Sequence, residues 1–107
     1  MKKEKALERL IKIPMYMFAI RFIGIEPGIT SSEITKKLDG TYAHISKLKN
    51  LLIEVEWVRG HKTGRYFKLY PTLKGLEIAK AVDKFFYAMG IIDKLEVKDD
   101  GSDKENI

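Results

Sequence analysis

The sequence predicts a mostly helical α+β domain within its 107 residues. Three observations predict it. Two short helical patterns, each opened by a capping threonine, meet at a tight turn between Thr30 and Leu52. A basic β-hairpin pattern follows, from Trp57 to Tyr70. A long helix with one apolar face then runs from Thr72 to about Ile92. One chain of this length supports one domain with a modest core.

The first segment, 1–13, is amphipathic, with Leu7, Leu10 and Ile11 on one side, and reads as an N-terminal helical arm. Pro14 suits the first turn of a new helix, which runs to Ile25. Met15, Phe18, Ala19, Phe22 and Ile23 make its expected buried side. That Met and Phe stripe packs a core or a dimer contact, or lines a small-molecule pocket; the spacing favours packing. Glu26-Pro27-Gly28 ends the helix, and Ile29 is placed in a strand of one or two residues.

Thr30 and Glu33 have the spacing of a capping box at the start of the next helix. Ile34 and Leu38 lie four apart on its buried face, and Asp39-Gly40 breaks it. Thr41 caps the following helix, where Ile45, Leu48, Leu52 and Val55 form an apolar stripe. Ala43, Ser46, Lys47 and Asn50 fall opposite that stripe. A bracing helix followed by one with a small, polar, basic face is a helix-turn-helix. In the hairpin, Phe67 and Leu69 share one side, and Tyr66, Lys68 and Tyr70 the other. Its loop is read as Gly60 to Gly64, with His61, Lys62 and Arg65 at the tip. In the last helix Ile78, Val82, Phe85, Phe86 and Met89 make a face wider than one small domain needs. A second copy of the chain is its expected cover, which makes 72–92 a dimerisation helix.

The stretch LDGTYAHISKLKNLL resembles the turn and recognition helix of winged helix-turn-helix regulators of the MarR/ArsR/PadR type, archaeal members in particular. The likeness continues through WVRGHKTGRYFKL and the helix start YPTLKG, and covers roughly Pro14 to Phe86. It implies a three-helix core with a β-hairpin wing over 14–70. Two positions depart from the family pattern. Gly40 stands where an apolar turn residue is usual, and Glu56 stands where glycine usually follows the recognition helix.

Charge agrees with a polyanionic partner. Between Lys36 and Lys74 nine Lys or Arg face three acids, whereas residues 93–107 hold six acids and three bases. That last segment is polar and reads as a disordered acidic tail beyond a domain spanning 1–92. The chain has no cysteine, which excludes disulfides, thiolate metal sites and a cysteine nucleophile. No cofactor motif, metal-ligand spacing or catalytic constellation is present, so the sequence supports binding rather than turnover. Lys2, Lys3 and Lys5 precede no continuous apolar run, and Ile13 to Ile25 is too short to span a bilayer; a cytoplasmic protein is expected. The absence of Gln and the abundance of Lys, Glu and Ile lean toward a thermophile.

The expected partner is double-stranded DNA with a pseudo-palindromic site, bound by a homodimer. Tyr42, Ala43 and His44 occupy the first turn that enters the major groove. Ala43 fits a thymine methyl, and His44 or Lys47 can donate to guanine. Two readings of His44 stay open, because it lies near the edge of the core stripe. Ser31, Thr41, Ser46, Lys49 and Asn50 are placed for phosphates. Lys36 and Lys37 point at the backbone or at solvent. The wing touches the phosphate backbone or the minor groove. Two other readings compete: a protein-docking module of transcription or replication machinery, since fold does not fix function, and a regulator with an effector pocket beside the dimer helix.

Overall fold

A computed structural model describes residues 14–98. The elements run α1 Met15–Ile25, β1 Ile29–Thr30, α2 Ser31–Leu38, α3 Tyr42–Glu54, β2 Val58–Thr63, β3 Tyr66–Pro71 and α4 Leu73–Met89. The three strands form one antiparallel sheet in the order β1-β3-β2. None of the helices is long and apolar enough to cross a membrane. The 1–13 arm and residues 99–107 of the tail lie outside the described residues.

α1 starts at Pro14, whose extended backbone occupies the N-cap position. Glu26-Pro27-Gly28-Ile29 then turns the chain. The Ile29 N–H donates to the Glu26 carbonyl at 3.0 Å, and Gly28 has φ 95°. Proline second and a positive-φ glycine third is the sequence signature of a type II turn. β1 follows with Ile29 opposite Leu69 and Thr30 opposite Lys68. The Thr30–Glu33 capping box forms as the spacing predicts: the Thr30 hydroxyl accepts from the Glu33 N–H, and the Glu33 carboxylate accepts from the Thr30 N–H. That last bond, with help from the Thr30 hydroxyl, holds the exposed Glu33 carboxyl below the usual Glu range. The cap therefore contributes above that range and is lost as pH falls through the folded-state pKa.

α2 ends on Asp39, which takes the left-handed conformation at φ 54°. The reversal thus falls on Asp39 rather than Gly40, and Asp is among the few residues that tolerate it. α3 is capped by Thr41, whose hydroxyl accepts from the His44 N–H at 3.2 Å. Its end is a Schellman motif: the Glu56 N–H donates to the Ile53 carbonyl and the Trp57 N–H to the Leu52 carbonyl. Glu56 sits at φ 64°, the position glycine normally fills. Val55 leaves the helix here and is exposed, so it drops out of the predicted stripe. A side chain at left-handed φ costs about 1–2 kcal/mol, while glycine loses about 0.5–1 kcal/mol more backbone entropy on folding. Glu56→Gly is expected to raise stability by about 0.5–1 kcal/mol, read as a higher urea midpoint; a lower midpoint would contradict the strain.

The hairpin is longer than predicted. β2 and β3 pair from Val58–Pro71 out to Thr63–Tyr66, so the turn is the two residues Gly64-Arg65. Gly64 has φ 61°, as the first position of a type II′ turn requires. Gly60 is not a turn residue. It lies within β2, where a Cβ would sit 2.4 Å from the Phe67 ring, so its bareness makes room for that ring. His61 and Lys62 accordingly stand on the strand and only Arg65 at the tip.

Ile20, Ile23, Ile29, Ile34, Ile45, Leu69, Ala79 and Phe86 centre the core. On α1 the buried side is Ala19, Ile20, Arg21, Ile23 and Gly24, whereas Met15, Phe18 and Phe22 are only partly covered. Two predicted dimer residues are corrected. Phe86 is 0% exposed within one chain, its ring 5.0 Å from that of Phe18, and Val82 is buried too. Their apolar face is covered by α1 of the same chain. Ile78 and Met89 are partly buried, and Phe85 remains exposed.

The tail is corrected at its start. Val97 is buried against Gly24 and Ala79, and the Glu96 and Val97 N–H groups donate to one Asp83 oxygen at 2.8 and 3.0 Å. Arg21 donates to the other Asp83 oxygen at 2.8 Å and also to Glu96. Residues 93–98 are thus pinned on the α1–α4 seam rather than disordered.

Candidate nucleic-acid interface

α3 presents two faces because its sequence alternates at helical period. Ile45 and Leu52 anchor it in the core, with Leu48 partly buried beside them. Ala43, His44, Lys47 and Asn50 are exposed on the far side. His44 is therefore exposed rather than packed in the core, and its backbone N–H donates to the Thr41 cap. Thr41 is exposed, with its hydroxyl engaged in that cap. Tyr42 opens the helix. Ser46 is half-buried.

Two residues predicted to touch phosphates, Ser31 and Lys49, are less exposed than Thr41 and Asn50. Ser31 is 8% exposed at the start of α2, where its carbonyl accepts from the Thr35 hydroxyl at 2.8 Å. Burial takes it off the surface. Lys49 lies on the hairpin side of α3, its Nζ 4.3 Å from the Phe67 ring centre. This cation–π contact links α3 to β3. Lys36 and Lys37 are exposed, Lys37 with its Nζ 5.4 Å from the Phe22 ring.

On the wing, His61, Lys62 and Arg65 are all exposed. Neither strand carries an acid, and α3 has one only at Glu54, its last residue. The structure thus brings the α3 residues Ala43, Lys47 and Asn50 and the hairpin cations onto neighbouring elements of one chain, with Lys49 joining them. Sequence reasoning passed over Arg59, which faces outward opposite Tyr70. The two-residue alternation Arg59, His61, Thr63 carried that signal, but placing the turn at Gly60 cut the strand short. No cluster of three or more His, Cys, Asp or Glu among the described residues could hold a metal ion. α1 and α4 pack directly, with Phe18 on Phe86 and Gly24 against Ala79.

No protein-family model matches the chain, and no curated protein matches its sequence. Solved structures do match its shape. MepR, a transcription regulator of the Staphylococcus aureus multidrug efflux pump MepA, superposes with a TM-score of 0.65 over 98% of this chain and 80% of its own, at 17% identity. FabT of Streptococcus pneumoniae, solved in complex with DNA, gives 0.65 over 85% of this chain and 66% of its own, at 25% identity. A MarR-family transcription regulator gives 0.66 over 84% and 62%, at 15% identity. The chain has the winged-helix fold, and these neighbours are transcription regulators.

Proposed function

We propose that this protein is a sequence-specific regulator that binds double-stranded DNA as a homodimer in the cytoplasm, with no catalytic step. The observation that carries this is the exposed polar face of α3 at Ala43, Lys47 and Asn50, set on a core-anchored helix with a basic wing beside it. A structural neighbour solved with DNA supports the same reading. α3 enters the major groove by its first turn, and the wing residues 60–65 lie on the backbone or in the minor groove. The dimer uses one part of α4 that its own chain leaves uncovered, around Phe85 and the partly buried Ile78 and Met89. Two such recognition helices require half-sites about 10 bp apart or a multiple of that. A small-molecule effector fits this reading but has no assigned site.

The test separates base reading from phosphate holding. Lys47→Ala is expected to relax preference at one base pair per half-site, because a base contact discriminates by about 1–3 kcal/mol. Lys62→Ala with Arg65→Ala is expected to keep the preferred sequence and lower the slope of log affinity against log salt by about one unit per charge. Selection from a random duplex library, followed by salt titration, reads both. If neither change alters duplex binding at about 0.1 M salt, α3 and the wing are not the DNA surface. Phe85→Asp is expected to dissociate the dimer in sedimentation; a wild-type monomer at micromolar concentration ends the dimer reading.

A further inference from the structure

The outer side of the hairpin is a second surface with its own chemistry. Strand register sets three cross-strand pairs on that side: Arg59 opposite Tyr70, His61 opposite Lys68 and Thr63 opposite Tyr66. Side chains so paired stand about 4.5–5.5 Å apart at Cβ, and successive ones along a strand about 6.7 Å. Arg59, His61, Thr63 and Tyr66 are all exposed, while the opposite side sends Val58 and Leu69 into the core. Tyr66 is 55% exposed and, among the described residues, stacks on no other ring. Tyr70 is steadied by lying over Gly28, whose missing Cβ would meet the ring at 3.5 Å. No acid lies on either strand. Glu33, just after β1, has its carboxylate held by the Thr30 N–H and hydroxyl.

We propose that this face binds single-stranded nucleic acid, with Tyr66 stacking an unpaired base and Arg59, His61 and Lys68 on the phosphates. Positive charge alone fits any polyanion. An exposed tyrosine that stacks on no other ring among the described residues, on a strand pair without acids, adds a platform suited to an unpaired base, because duplex bases are already stacked on each other. The surface is separate from the polar face of α3; it shares His61 with the proposed duplex contacts of the wing, while Arg59, Tyr66 and Lys68 belong to it alone.

Fluorescence anisotropy with labelled oligothymidylate and oligouridylate tests this on the full chain at about 0.1 M salt. The wild type is expected to bind, and Arg59→Ser with Tyr66→Ser to lose about tenfold or more, since stacking and charge are both removed. Tyr66→Phe keeps the ring and is expected to keep the affinity, which separates stacking from general charge. Lys47→Ala is expected to leave single-strand affinity unchanged while altering duplex preference. Tighter binding of one oligomer assigns the strand as RNA or DNA. Absence of single-strand binding by the folded wild type overturns the proposal, as does equal loss in Lys47→Ala. Loss of single-strand and duplex binding together in the Arg59/Tyr66 variant also overturns it, because it shows one undivided duplex surface.

Discussion

Asp83→Ala is expected to lower folding stability by about 3–5 kcal/mol, the usual cost of removing one partner from a buried ion pair. Asp83 is 2% exposed and Arg21 5%. The Asp83 carboxylate accepts from Arg21 Nε through one oxygen and from the Glu96 and Val97 N–H groups through the other. Alanine strips all three at once. It leaves a buried guanidinium with the Phe86 ring and with Glu96, whose side chain is far more open to water. It also unpins the strand of chain that seats Val97 on the α1–α4 seam. Against a total stability of about 5–15 kcal/mol, the loss brings the domain near unfolding. Urea denaturation should show the midpoint falling with the slope unchanged. Asp83→Leu combined with Arg21→Met is expected to recover much of the loss, because desolvating the pair is itself costly. If Asp83→Ala unfolds within about 1 kcal/mol of wild type, the network contributes little and residues 93–98 are not held by it.

The same contacts set what a truncation does. Removing Leu95 to Ile107 takes Glu96 and Val97 with it and should lower the melting temperature, whereas the sequence alone marks this stretch as dispensable. The reason is physical. Val97 has only Leu95 near it at strand spacing in a polar run, an alternation too short to announce burial. Its seat is made by Gly24 and Ala79, far away in the chain. Arg21 and Asp83 are likewise silent locally, because a charge buried by a partner sixty-two residues away reads as an exposed one.

What the sequence does carry is whatever local geometry enforces. Thr30, Thr41 and Thr72 each accept a backbone N–H at the helix start where their spacing places them. The alternation in β3 predicts its burial, with Leu69 and Pro71 inward and Tyr66 outward. The wing turn was misplaced because two glycines compete for it, and only pairing register shows that Gly64 turns while Gly60 makes space. The stripe on α4 announces burial of Val82 and Phe86 but not the burying partner. α1 of the same chain covers them, and that narrows the proposed dimer surface to the neighbourhood of Phe85. Among the candidate DNA contacts, the exposure of Lys47 and Asn50 was legible from helical period, whereas the contact of Lys49 with the Phe67 ring across the hairpin was not.

Gly75→Ala is expected to destabilise by about 3 kcal/mol or more, the upper end of overpacking costs. Elsewhere in a helix the same change usually stabilises by about 0.5–1 kcal/mol, so the sign itself is diagnostic. Gly75 lies in the first turn of α4, and a Cβ there would be 1.8 Å from the Trp57 carbonyl oxygen and 2.8 Å from its carbon. Both are backbone atoms, so no side-chain rotation relieves the clash. The carbonyl cannot swing aside cheaply either, because it accepts the Thr72 N–H at 3.0 Å. The Thr72 hydroxyl meanwhile donates to the Glu56 carbonyl at 2.7 Å and accepts from the Gly75 N–H at 3.0 Å. Moving α4 away from Trp57 therefore breaks the cap that starts the helix and loosens the base of the wing. Ala81→Gly, exposed in the middle of the same helix, serves as the control and should lose about 1 kcal/mol. Thermal melts of the two variants decide it. A Gly75→Ala protein that melts at or above the wild-type temperature would show that α4 does not start against Trp57 as described.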